Sequence, residues 1–545
     1  MSTGEFSNNA GYEHPGDDPG EPGERLAPPV AAFPKGVAES SHAFGPYLYR
    51  QDEIVHVAPS SEERFGDLQR LRSVLADGDL QRRLFWDVVL TRLFGEFPPE
   101  HHDEERSFSQ RLVSLLRALW ALLRLLLVAV PRRLRVPVEI EEEGRIRNAT
   151  TVVRLKPVPG VPDLVPALVQ RVLRYSAEPP PRVSRFTGGD TNSAPAERPA
   201  GPSIAPLQVF WTAPHPIGFS AAPPRPSRVP PPPLPRFEDP ADAVVIAVLD
   251  NGVDASLPWF GQPAAVQLLD GQIDAADPSP ASGSTLDAFA CHGTFVAGVA
   301  LAEAYRLHDE EGRPGQVKIV SIRVTGPDGY VSDEEAADGL ERLGNAVTAG
   351  RIQRPDAVLM AFGGFAHDGM SPAVPLVQDA VRTLVGDPAL AGTVFVASAG
   401  NEGMSRQVYP AALDEPRVVG IGATVGRDPL ARAGFSNLGP WVHACASGCN
   451  ILGPFTPAND VFLPEVFDGP TFGPMTFGGT AVWSGTSMSA ALVAGRLAGE
   501  VAAGRARTGE DALTRLVTAG PPTVDGIGYS LVVVPEETAD VLRVR

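Results

Sequence analysis

A chain of 545 residues has room for two or more domains and at least one large core. An apolar fraction of 43% argues against disorder throughout, and a formal charge of −19 argues against a phosphate-binding footprint and accords with a soluble protein. Three cysteines cannot build a disulfide framework, and they are not expected to form a zinc site.

In chain order, residues 1–42 are dominated by Gly, Pro, Asp and Glu and are expected to be a disordered acidic tail. No basic start leads into an apolar run, so no secretory signal is expected and the default compartment is the cytoplasm. Residues 60–176 form the first candidate folded region, helical or α+β, of unassigned role. Helical spacing occurs in Leu68, Leu71, Val74 and Leu75 and again in Leu84, Phe85, Val88 and Val89. The leucine-rich stretch Arg111–Val130 carries Arg117 and Arg124 on one side, so it reads as an amphipathic helix covering a core. A membrane-surface helix is the less favoured alternative, and its apolar runs are too short to span a bilayer. His101-His-Asp-Glu-Glu reads as a solvated charge run. Strands are expected around Val136–Glu141 and Thr151–Leu155, and a short helix over Leu164–Tyr175.

Residues 177–240 are proline-rich and read as a stiff extended connection, or alternatively as a ligand for a Pro-recognising partner. Within them Phe210 and Trp211 mark a segment that docks on a neighbour.

From Ala243 the pattern changes. Val244–Leu249, Val317–Val324, Ala357–Phe362, Thr393–Ser398 and Val418–Ala423 are apolar runs of strand length, separated by helical segments. One helix begins after Ser332, with Glu335 placed for a capping box. Alternation of this kind predicts an α/β domain over residues 241–535, a three-layer, mainly parallel sheet flanked by helices, with functional groups at the carboxyl ends of strands. Gly420–Gly426 has the look of a nucleotide loop with its last glycine one place late, and reads better as a core strand and turn.

Three stretches carry chemistry. Asp250 ends a buried strand in Val248-Leu-Asp-Asn-Gly-Val-Asp254. His292 opens a small-residue helix in Cys291-His-Gly-Thr-Phe-Val-Ala-Gly298. Ser487 stands at a helix start in Trp483-Ser-Gly-Thr-Ser-Met-Ser-Ala490. A serine hydroxyl needs an imidazole to take its proton, and a carboxylate to hold that imidazole in the right tautomer. A fourth stretch, Val394–Gly403, ends a buried strand in an asparagine, Asn401.

These motifs, in the order Asp, His, Ser, resemble those of the subtilisin-like serine proteases over about Ala243–Val534. The resemblance implies a serine endopeptidase working through an acyl-enzyme, with Asp250, His292 and Ser487 catalytic. Asn401 and the Ser487 N–H would bind the oxyanion. Ala361, Phe362, Gly363 and Gly364 would be the edge against which an extended peptide lies, and Ala397, Ser398, Ala399 and Gly400 would line the primary pocket. Arg323–Gly329 would face that edge. Many family members bind calcium, but no ligand-dense loop here names a site, and no other cofactor is expected. Protein or peptide substrates are the expected partners, and nucleic acid is not.

Phe295 stands where the family most often has a second histidine, and Asn251 where it has a small hydroxyl residue. Ala491 and Leu492 replace a proline and the polar residue after it. The N-terminal half would restrain, target or recruit, and weakly resembles a protease propeptide by its position. Two other readings are a subtilisin-fold module that binds peptides without cleaving them, and an N-terminal adaptor attached to a latent protease. The intact catalytic set favours the enzyme.

Overall fold

The computed structural model describes residues 37–40, 47–58, 60–78, 80–85, 88, 136–147, 150–158, 164–177, 203–211, 223–230, 234, 243–261, 265–276, 288–309, 316–326, 329–366, 374–425, 431–461, 475–519 and 529–532. The expected helix at 111–130, the charge run at 101–105 and most of the expected tail lie outside them.

The N-terminal elements are β1 (Val37–Ser40), β2 (Tyr47–Val57), α1 (Arg64–Leu75), β3 (Ile140–Arg147), β4 (Thr150–Leu155), α2 (Leu164–Ala177) and β5 (Ser203–Trp211). The strands pair antiparallel, with β2 between β4 and β5, and β1 pairs with β2. Leu68, Leu71 and Leu75 of α1 are buried, as their spacing predicts.

Two departures from expectation concern this sheet. Val37–Ser40 lies within the expected disordered tail yet pairs with β2. Ser203–Trp211, expected within a stiff connection, is a full strand of the sheet. Both are held by backbone pairing with β2, so neither needs a strong side-chain pattern of its own. Pro206, which has no N–H to donate, sits where the β2–β5 register shifts.

The C-terminal half continues with β6 (Arg225–Pro226), β7 (Val244–Asp250), β8 (Val266–Leu268), α3 (His292–Asp309), β9 (Val317–Arg323), β10 (Tyr330–Ser332), α4 (Asp333–Thr348), β11 (Pro355–Met360), β12 (Gly364–Phe365), α5 (Pro375–Gly386), β13 (Val394–Ser398), β14 (Val408–Tyr409) and β15 (Val418–Thr424). It ends with β16 (Ala444–Ser447), β17 (Ile451–Pro454), β18 (Ala458–Val461), β19 (Met475–Phe477), β20 (Thr480–Trp483), α6 (Thr486–Ala502), α7 (Gly509–Ala519) and β21 (Tyr529–Val532). Eight of these strands form one parallel sheet in the order β21-β16-β15-β13-β11-β7-β9-β8.

Because strand side chains alternate, each buried strand feeds two cores. Val245, Ala247 and Leu249 of β7 join Leu340 of α4 and Val381 of α5 on one face. Val244, Ile246 and Val248 join Val299 of α3 and Leu492 of α6 on the other. The result is a three-layer α/β fold. The departures Ala491 and Leu492 are both fully buried there. Gly495 lets α6 come close to α3, since a Cβ at that position would stand 2.2 Å from the Ala300 carbonyl oxygen. The expected capping box is present: Ser332 accepts from the Glu335 N–H while Glu335 reaches back to the Ser332 N–H. Gly420 and Gly422 lie inside β15, a buried core strand.

The two halves are joined. β10 pairs antiparallel with β5, so one edge of the N-terminal sheet is a strand of the C-terminal half. Ile54, Leu71, Val169 and Phe210 belong to the same core as Leu249, Leu340 and Phe362.

Candidate active site

The predicted catalytic and oxyanion residues lie at or just after the carboxyl ends of β7 and β13 and at the starts of α3 and α6. Asp250, at the end of a wholly buried strand, accepts from its neighbour's Asn251 N–H at 2.8 Å. Its two carboxylate oxygens lie 3.0 and 2.9 Å from His292 Nδ1. Both side chains are 1% exposed, so this pair is shielded from water. A carboxylate can only accept here, so the Nδ1 carries the proton and Nε2 is left as the basic nitrogen.

Asn251 explains its own departure from the family pattern. Its side-chain oxygen accepts the Gly293 N–H at 2.8 Å and its amide donates to the Phe289 carbonyl at 2.6 Å. It therefore caps the helix that begins with His292 and ties that helix to the end of β7. Gly293 is required by the same closeness, because a Cβ there would stand 2.5 Å from the Gly252 carbonyl oxygen.

Phe295 is fully buried and meets the Trp483 ring edge-on at 5.4 Å. It occupies space left by Gly453, where a Cβ would come within 2.7 Å of its ring. Trp483 also meets the His292 ring at 5.3 Å, nearly perpendicular. An aromatic wall thus replaces the polar neighbour that the family usually has.

Ser487 is the second residue of α6 and is 3% exposed. Its hydroxyl donates to the Ala361 carbonyl at 3.2 Å. Among the described residues no hydrogen bond joins it to His292. Asn401 follows β13, and its side-chain oxygen accepts the Thr486 N–H at 2.8 Å and the Thr486 hydroxyl at 3.1 Å. Asn401 therefore caps the helix that carries Ser487 through its oxygen, and these bonds do not use its amide nitrogen. The Thr486 hydroxyl in turn accepts the Gly400 N–H at 3.1 Å.

Ala361, Phe362, Gly363 and Gly364 follow β11 and are all buried, with Gly364 paired to Tyr409. Gly363 answers to packing: a Cβ there would meet Val408 at 2.6 Å. Of the predicted pocket residues, Ala397, Ser398 and Ala399 are buried and Gly400 is partly exposed. Gly400 has φ +93°, and a Cβ on it would stand 2.4 Å from the Asn437 amide nitrogen. The segment expected to face this edge leads directly into β10.

A cavity of about 430 Å³ lies beside Cys291, lined also by Val253, Asp254, Leu268, Gln272 and Thr456. None of the three predicted catalytic side chains lines it. No cysteine forms a disulfide. Among the described residues no group of three or more His, Cys, Asp or Glu side chains converges as metal ligands, and no helix is long and apolar enough to cross a membrane.

Sequence reasoning missed Asn437, which lies 36 positions beyond Asn401 and grips its loop, and gave Trp483 no role. No local pattern marks either, since both act across the fold.

Known proteins resemble part of this chain. The chain is 27% identical over 213 residues to the thermophilic serine proteinase of Bacillus sp. (strain AK1), covering 39% of this chain and 45% of that protein. It is 25% identical over 259 residues to subtilisin NAT of Bacillus subtilis subsp. natto, covering 47% and 54%. The chain thus spans about half the length of these curated relatives. Among solved structures, a cold adapted subtilisin-like serine proteinase aligns at 22% identity and TM-score 0.38, covering 55% of this chain and 92% of that one. The subtilase family model matches residues 241–518, just over half of the sequence, and the chain belongs to that family.

Proposed function

We propose that the protein is a serine endopeptidase in which Ser487 attacks the scissile carbonyl, His292 takes its proton and Asp250 steadies the imidazolium. The observation that carries this reading is the buried Asp250–His292 pair, which leaves Nε2 as a base, and it is supported by a serine in the first turn of α6. The Ser487 N–H and the Asn401 amide would stabilise the oxyanion, helped by the exposed N–H groups of the first turn of α6. His292 would then protonate the leaving amine, and water activated by the same base would release the acyl-enzyme. Proteins or peptides, laid extended along Ala361–Gly364, are the proposed substrates.

In the resting arrangement the Ser487 hydroxyl rests on Ala361, and reaction requires it to rotate towards His292. Such links tighten when substrate binds. The N-terminal sheet is proposed to regulate this site, because β5 pairs with β10 beside the substrate edge and Phe210 packs on Phe362. Maturation, where it occurs, is proposed to cut the chain between Ala177 and Pro240.

A fluorophosphonate probe applied to the intact chain tests the reading, with Ser487→Ala and heat-denatured protein as controls and intact mass recorded. Labelling that needs both the fold and Ser487 is expected. No labelling of either the full-length or a matured form would overturn it. A protein that stays full length while fully active would remove the maturation cut.

A further inference from the structure

We infer that Asn437 is the positioning residue for the oxyanion donor Asn401, an assignment that rests on the peptidase reading above. Asn437 lies in the Phe435-Ser-Asn-Leu-Gly439 loop after β15 and is fully buried. Its side chain is directed wholly at the loop that carries Asn401. The amide oxygen accepts the Glu402 N–H at 3.2 Å and the Met404 N–H at 3.0 Å. The amide nitrogen donates to the Ala399 carbonyl at 3.0 Å and to the Glu402 carboxylate at 2.6 Å. Its backbone N–H donates to the Gly400 carbonyl at 3.2 Å.

A primary amide offers two donor hydrogens and two acceptor lone pairs, and here all four are used on residues 399, 402 and 404. Asn401 sits in the middle of that span and makes none of these bonds. Its own side-chain oxygen is spent on Thr486. The loop is therefore held at residues 399, 402 and 404 by Asn437 and at Asn401 itself by the start of α6, and the amide nitrogen of Asn401 is aimed as a consequence. Gly400 fits the same scheme, because a side chain there would collide with both the Asn437 amide and the Glu402 carboxylate. A donor must stand within a few tenths of an ångström of the developing oxyanion to stabilise it, so a loosened loop costs rate more than binding.

The chemistry supplies a specific perturbation. Asn437→Asp keeps both acceptor positions but loses both donors, and brings a second carboxylate against Glu402. Two carboxyl groups that close cannot both ionise, and one shared proton restores a hydrogen bond between them.

The test is a double-mutant cycle on the full-length protein, or its mature form, with a short fluorogenic peptide that the wild type cleaves. Asn437→Ala is expected to lower kcat by about 10- to 100-fold, with KM moved by no more than about twofold. In an Asn401→Ala background the same change is expected to cost less than about twofold, because the donor it aims is gone. Asn437→Asp is expected to be impaired at neutral pH, with its activity relative to wild type rising as the pH falls. Thermal unfolding of each variant checks that it folds, and Asn437→Asp serves where Asn437→Ala does not. An equal loss in both backgrounds, or a pH-independent activity ratio for Asn437→Asp, would overturn the assignment. A wild type that cleaves no peptide and takes no fluorophosphonate would instead overturn the peptidase reading and this inference with it.

Discussion

The ring of Phe210, in the last strand of the N-terminal sheet, stacks on that of Phe362, in the middle of the proposed substrate edge, with centroids 6.0 Å apart. Both rings are essentially inaccessible to solvent. The contact joins the N-terminal sheet to the back of the segment on which a peptide would lie.

Phe210→Ala would remove a buried ring and leave a cavity in the shared core. It is expected to destabilise the protein by about 3–5 kcal/mol. Chemical denaturation, followed by tryptophan fluorescence and by peptide cleavage, should show both signals lost at a lower denaturant concentration than in the wild type. Activity that survives while the N-terminal sheet unfolds would show that the contact does not support the edge.

Asp250→Asn preserves the size of the side chain but presents His292 with a group that can donate. The imidazole then no longer has its Nδ1 proton fixed towards residue 250, and Nε2 ceases to be the reliable base. A loss of about 10⁴-fold in kcat is expected, with the fold intact by circular dichroism.

Gly293→Ala adds one methyl group where the Gly252 carbonyl oxygen already closes the space at 2.5 Å. Backbone blocks the way, so the start of α3 must shift and carry His292 from Asp250. Expected are a destabilisation of about 1–3 kcal/mol and a larger proportional loss of kcat. A fully active variant would show that the strand end and the helix move together.

A fourth prediction concerns acid. His56 of β2 is fully buried, donates from Nε2 to the Asp67 carboxylate at 3.0 Å, and leaves Nδ1 without a partner among the described residues. Burial pushes this imidazole below its ordinary value of 6.5, against the opposing pull of Asp67. The folded form therefore holds His56 neutral, while the unfolded chain takes up a proton as the pH drops through about 6.5. Its contribution to stability is intact above that value and is lost as the pH falls from there towards the depressed folded value. Thermal unfolding of the N-terminal sheet should move down between about pH 7.5 and 5.5, and His56→Phe should flatten that dependence. An unchanged slope in the variant would remove His56 as its origin.

Much of the C-terminal half was legible because its information is local. Strands buried on both faces must be continuously apolar, as in Val244–Leu249, and the capping box at Ser332 and Glu335 lies within four residues. Asp250, His292, Asn401 and Ser487 each stand at a strand end or helix start, inside a short motif whose chemistry demands those residue types. What the sequence by itself determined was therefore the layered fold and the choice of these groups as candidates for the site. The tertiary structure alone decided how they are held: Asn251 and Asn401 as caps of the two helices, Asn437 gripping a loop 36 positions away, and Phe295 filling the space beside Gly453. It also decided that Ser203–Trp211 is a strand beside β10, not a free connection. The physical reason is the same in each case. A long-range hydrogen bond or a packed ring depends on the partner the fold delivers, and that partner leaves no periodicity in the neighbouring sequence.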